Sequence, residues 1–229
     1  MARSTVYNEI VTDELYEKVN PDNKELLEEF IEYLYSTDKS ELTIINYTSD
    51  IKICFVWCLK YRKNKSFIDF TKRDIMKYQN WLLNELELSS SRVRRLRSSI
   101  SSMSNFIENI LDDDFPDFRN IVNKIPAPTN QPVREKTIFE DEEVEELLNA
   151  LIKDKQYQEA CCLALAIASG ARKAELTRFK VHYFDDENII YNSLYKTPEK
   201  IKTKGKGGKM LHKYTLVSVF KPYLDLWLK

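Results

Sequence analysis

An arginine set three residues before a glutamate, just past a glycine that ends an apolar helix, is an arrangement suited to holding a phosphate. Gly170, Arg172 and Glu175 supply it within AIASGARKAELTRFK at 166–180. The glycine closes the helix in a backbone conformation barred to most residues. Arg172 then opens a second helix, with Glu175 one turn along and Leu176 facing inward. A guanidinium keeps its charge and presents a rigid fork of donors, which matches phosphate geometry. Taken alone, so short a spacing equally describes a helix corner with a local Arg–Glu pair.

Two basic clusters accompany it. Residues 196–213 hold seven lysines against the single Glu199, with Lys204 and Lys206 beside Gly205, Gly207 and Gly208. The order G-x-x-x-x-G-K-[ST] is absent and no strand feeds this turn into a helix, so it reads as a basic finger and not a nucleotide loop. Residues 88–100 hold four arginines, Arg92, Arg94, Arg95 and Arg97, and no acid, whereas residues 1–38 hold ten acids against three bases. A formal net charge of −1 thus hides two cationic surfaces, as expected of a protein that meets a polyanion on one side. Each cluster alone also reads as a solvated face. Cys54, Cys58, Cys161 and Cys162 lie on apolar helical stretches far from either histidine in sequence, which reads as core packing. His182 and His212 are isolated and carry no assignment, and no metal is expected.

The positioning elements follow from periodicity. With 43% hydrophobic and 31% charged residues and only four glycines in 229, a mostly helical globular chain is expected. The longest uninterrupted apolar run, 160–168, is too short to span a bilayer and the first residues lack a signal peptide's apolar stretch, so a cytoplasmic protein is expected. Apolar residues recur at helical spacing over 22–35, 40–61, 71–86 and 89–111. On the last of these Val93, Leu96, Ile100, Met103, Ile107 and Ile110 form the inner stripe. Its other side carries Arg94, Arg95, Ser98, Ser101, Ser102 and Asn105, small polar groups beside arginines that allow close approach to a sugar-phosphate backbone. Thr43, Asn46 and Lys52 on the second helix are further candidate contacts. Four prolines between 112 and 136 rule out a continuous helix there and read as an extended tether ending in Arg134 and Lys136. Helices resume over 141–151 and 157–169, the latter apolar nearly all round. Strand-forming residues then cluster at 188–195 and 210–217, a hairpin or small sheet around the basic finger, before a last helix from 219.

In that order these parts resemble the tyrosine recombinase family, the phage and transposon integrases, over nearly the whole chain. SELTIINYTSDIKICFVW and SSSRVRRLRSSISSMSNFI are similar to its helical DNA-clamping domain. TIFEDEEVEELL, ALAIASGARKAEL and the KTKGKGGK turn are similar to the first half of its catalytic domain. The resemblance implies a mainly α fold, with a four-helix SAM-like core-binding domain followed by a partial α+β catalytic domain carrying a small antiparallel sheet. The expected divisions are a tail at 1–21, the core-binding domain at 22–112, a linker at 113–136 and the catalytic part at 137–229. It implies that Arg172 holds the scissile phosphate, that Glu175 buttresses it, and that Lys206, or Lys204 one register away, protonates the leaving 5′ oxygen. It implies a double-stranded DNA partner, self-association on DNA in a full-length protein, no membrane, and no cofactor, because a 3′-phosphotyrosyl link conserves the bond for rejoining. The family's His-x-x-Arg box and its nucleophilic tyrosine have no match here, Tyr214 and Tyr223 lying too soon after the finger. The expectation is therefore an incomplete catalytic domain that binds DNA without cutting it. The alternatives are a non-catalytic DNA-binding regulator on the same fold, and a helical module whose basic patches contact acidic proteins.

Overall fold

The computed structural model describes residues 6–130, 138–203 and 208–229. It divides into two units, 1–135 and 136–229, each with a hydrophobic core of its own.

The first unit is helical. Two short helices, α1 (Val6–Ile10) and α2 (Asp13–Glu17), precede α3 (Pro21–Ser36), α4 (Glu41–Tyr61), α5 (Lys72–Asn80) and α6 (Ser90–Ile110). Their starts are chemically marked. Asn20 accepts from the Asp22 amide ahead of Pro21, and Ser40 and Ser89 accept from the amides of Thr43 and Arg92, the side-chain caps that satisfy otherwise orphaned donors. At α5 the Asp74 carboxylate accepts from Thr71 N at 2.8 Å, closing a capping box. The helix then widens into a π turn over Trp81–Glu85, with Leu86 N bonded to Trp81 O. Helix α4 is the centre of the unit: Ile51, Ile53, Cys54, Phe55, Val56, Trp57 and Cys58 are all buried, and each such aliphatic or aromatic side chain contributes about 1.5–3 kcal/mol. Phe30, Tyr33 and Phe106 stack between α3 and α6 with ring centroids 5.0–6.3 Å apart.

Two stretches differ from the sequence reading. Residues 6–19 pack as helices and not as a tail, because Ile10, Val11 and Val19 are buried in the first core. Much of the stretch read as a tether also packs there: Phe115, Phe118, Ile121, Val122 and Ile125 cover the core's side. Asn120 fixes this segment by donating to Ser101 O and to Asn105 Oδ1, at 3.1 and 2.7 Å.

The second unit opens with α7 (Asp141–Lys153) and α8 (Tyr157–Ser169). Small residues on α8, Ala160, Ala164 and Ala168, are buried and let α10 (Val217–Trp227) pack closely. Short α9 (Lys173–Leu176) follows. The strands are β1 (Ile189–Ile190), β2 (Leu194–Lys196), β3 (Ile201–Lys202), β4 (Met210–Leu211) and β5 (Tyr214–Leu216). They form an antiparallel sheet of order β1-β2-β5 and a separate β3-β4 ladder. The stretch 188–195, where strand-forming residues cluster, is itself a tight hairpin. Tyr191 and Asn192 both adopt positive φ, 52° and 54°, at the centre of a turn closed by Ser193 N donating to Ile190 O, a twist that suits a hairpin.

Candidate functional site: a phosphate-gripping corner and a basic helix face

In the second unit, Gly170 ends α8 at φ 57° and turns the chain outward. Arg172 is extended at the start of α9, and the Glu175 carboxylate folds back onto it. One oxygen, Oε2, accepts from the Arg172 amide at 3.2 Å, and Oε1 accepts from Arg172 Nη1 at 3.2 Å. A third group joins them: Lys213 Nζ donates to Oε2 at 2.7 Å. The Glu175 side chain is 1% exposed, that of Lys213 18%, and that of Arg172 77%. A buried carboxylate thus holds a largely exposed guanidinium. The Lys213 hydrogen bond, reinforced by Arg172 against the opposing effect of burial, lowers the Glu175 pKa to about 2, so the carboxylate is ionised wherever the protein is folded near neutrality. Two cations against one anion leave the corner positive.

Lys213 escaped the sequence reading, in which it was one of seven basic residues between 196 and 213. Its position comes from strand register: β2 pairs with β5 so that Lys196 faces Tyr214, and the buried Thr197 extends the ladder. Thr197 N donates to Lys213 O and Lys213 N donates to Thr197 Oγ1, both at 3.0 Å. The other lysines singled out, Lys204 and Lys206, and also Arg134 and Lys136, lie outside the described residues.

In the first unit, the arginines of α6 divide by role. Arg92 Nη1 donates to Asp50 Oδ1 at 2.7 Å, Arg95 Nε lies 3.4 Å from Oδ2, and Ser99 Oγ donates to the same oxygen at 2.9 Å. Asp50, buried on α4, therefore aims two arginines along the helix surface while Arg95 stays half exposed. Arg97 is buried and donates to the carbonyls of Val122 and Ile125, at 3.0 and 2.6 Å, and to Gln79. Arg94 donates to Pro128 O at 3.0 Å. Ser98, exposed, stands with Arg94, Ser101, Ser102, Asn105, Tyr47 and Asn123 around a polar concave surface. Part of this face is thus occupied by the chain's own 120–130 segment. Thr43 and Asn46 lie on the faces of α4 that also carry Asp50, with Thr43 Oγ1 bonded to Ser40 Oγ. Lys52 stands elsewhere on that helix, its ammonium 4.2 Å above the Tyr16 ring. Three cysteines are buried and Cys162 is exposed; burial pushes the thiols of Cys58 and Cys161 up to about 11.

A helical unit with a cationic helix face, followed by an α+β unit that presents a buttressed Gly-x-Arg-x-x-Glu arginine, is similar to phage integrase and recombinase proteins in sequence and in fold. Residues 26–117 match the phage integrase N-terminal SAM-like domain. Over 221 residues the chain is 30% identical to the SPbeta prophage-derived recombinase-like protein YomM of Bacillus subtilis (strain 168), covering 95% of this chain and 65% of that protein. It therefore spans just under two thirds of that relative's length. The fold is shared with a lambda integrase (75-356) dimer bound to a COC' core site, at a TM-score of 0.59 and 19% identity over 88% of this chain and 67% of that one. It is shared equally with a lambda integrase tetramer bound to a Holliday junction, at a TM-score of 0.55 and 18% identity over 88% and 54%.

Proposed function

We propose that the chain binds duplex DNA and that Arg172 grips a backbone phosphate in the strand cleavage and rejoining carried out by tyrosine recombinases. The observation that carries this reading is the exposed Arg172 guanidinium held by a buried, ionised Glu175. Transfer of a phosphoryl group to a tyrosine hydroxyl gathers negative charge on the phosphate oxygens, and a pre-placed guanidinium stabilises it without reorganising. In this reading Lys206, or Lys204, protonates the leaving oxygen. The core-binding part is 22–112 with residues 115–125 packed on it, and the catalytic part is 137–229, the rest of 113–136 linking the two. Arg92, Arg94, Arg95 and Ser98 face the duplex, with Thr43, Asn46, Arg134 and Lys136 as outer contacts, whereas Lys52, over the Tyr16 ring, is left out of this face. The reading includes a cytoplasmic location and self-association on DNA, as the lambda integrase dimer and tetramer display on theirs.

The test is fluorescence anisotropy with a labelled duplex across a salt series. Affinity falls steeply as salt rises, because each neutralised phosphate releases counterions. Arg94→Ala combined with Arg95→Ala weakens binding to unrelated sequences alike and reduces the salt slope by about two. Affinity indifferent to salt would instead support a protein-interaction module. A second reading is an accessory DNA-binding protein on the same fold without chemistry, favoured by the exposed arginines of α6, which need only a duplex backbone as partner. That protein keeps salt-dependent binding but takes no phosphate at Arg172, which the titration below decides.

A further inference from the structure

We propose that Lys213 is a positioning residue that holds Glu175, and through it Arg172, in the orientation that receives a phosphate; this rests on Arg172 being the phosphate grip. The geometry is directional. Lys213 Nζ pins Oε2 at 2.7 Å, the shortest of the three contacts on that carboxylate. With Oε2 fixed by Lys213 and by the Arg172 amide, the carboxylate plane is set and Oε1 points at the Arg172 guanidinium.

Lys213 is itself rigidly placed. Its amide and its carbonyl both bond Thr197, which is 1% exposed, and its neighbour His212 is turned to donate from Nδ1 to Thr197 O at 2.7 Å. The ammonium arrives at Glu175 from 38 residues along the chain, as a fixed part of the sheet and not as a mobile surface lysine. Its charge matters as much as its position. Arg172 and Glu175 alone form a neutral pair, and a guanidinium cancelled by its own tether attracts an anion weakly. Lys213 restores one unit of positive charge at the corner while remaining mostly covered itself, so the exposed donors belong to Arg172. The charged groups on Glu175 are Arg172 from its own turn and Lys213 from the sheet side.

The experiment follows the Arg172 Nε–Hε signal by NMR in the full 229-residue chain while inorganic phosphate is added. Arg172→Lys identifies the signal. In wild type the resonance moves on titration, and between pH 7 and pH 5 the apparent affinity follows only the phosphate's own uptake of a proton. Lys213→Met lowers phosphate affinity roughly tenfold, the scale of one charge-assisted hydrogen bond, and makes it fall as Glu175 takes up a proton within that range. Lys213→Arg restores the wild-type profile, which a purely structural role would not require. Lys213→Gln, which carries a neutral donor one atom shorter, serves if the methionine variant does not fold and shows the same loss. A through-hydrogen-bond coupling between Lys213 Nζ and the Glu175 carboxyl carbon is expected in wild type and needs no substitution; its absence overturns the proposal. So does wild-type phosphate affinity with the wild-type pH profile in Lys213→Met. If phosphate leaves the Arg172 signal of the wild-type chain unmoved, it is the phosphate-grip reading that fails.

Discussion

Glu175 is one place where acid acts on the second unit. Its pKa in the fold is about 2 against an ordinary 4.5, set first by the Lys213 hydrogen bond and then by Arg172. A folded-state pKa below the unfolded value means that the ionised form favours folding. That contribution is complete above about pH 4.5 and is lost as pH falls towards 2. Unfolding followed by circular dichroism between about pH 6 and pH 2 should show the second unit weakening in this window, with Glu175→Gln flattening the dependence. Asp74 acts likewise in the first unit: burial pushes its carboxyl up, but hydrogen bonds from Lys65 and from Thr71 overcome this and hold it well below the usual carboxylate range. The Arg172–Glu175 pair was legible in the sequence because its partners are three residues apart on one turn. Lys213 was not, since only the pairing of β2 with β5 brings it there. Asp50 was passed over for a related reason: one acid in an apolar helix has no visible partner until α6 packs beside it.

At the level of elements, the long helices were readable because their apolar stripes repeat at helical spacing and their starts carry Ser, Asn or Thr. The segment 112–130 was half readable. Its prolines correctly excluded a helix, but nothing in its composition showed that Asn120 and the carbonyls of Val122 and Ile125 would satisfy the polar side of α6. Arg97 is the clasp. Arg97→Met removes the side-chain donor from both carbonyls, leaving Val122 O only the Ile125 amide, a loss of about 2–3 kcal/mol, and releases residues 120–130 from the helix. Limited trypsin digestion should then cut after Lys124 at least about tenfold faster than in wild type, because local opening sets the cleavage rate, while the circular dichroism of the folded chain barely changes. Equal cleavage rates would show that the segment is held by its apolar residues alone.

Across the molecule, each unit builds its core from its own residues, so heating should give two transitions. Trp57 and Trp81 report on the first unit and Trp227 on the second. Asp50→Ala leaves Arg92 and Ser99 without their acceptor and should destabilise the first transition by about 3 kcal/mol, without moving the second; a shift in both would mean that the units unfold together. Asp50 also bears on how the chain is made. By length and composition Glu41–Tyr61 is apolar enough to cross a bilayer, and its partner Arg92 is encoded 42 residues later. While the ribosome is still extending the chain between them, the segment emerges with an unmatched carboxylate at its midpoint. A charge there raises the cost of transfer into lipid by about 2.5–3.5 kcal/mol, so the same carboxylate that organises the arginines also works against this helix lying in a bilayer.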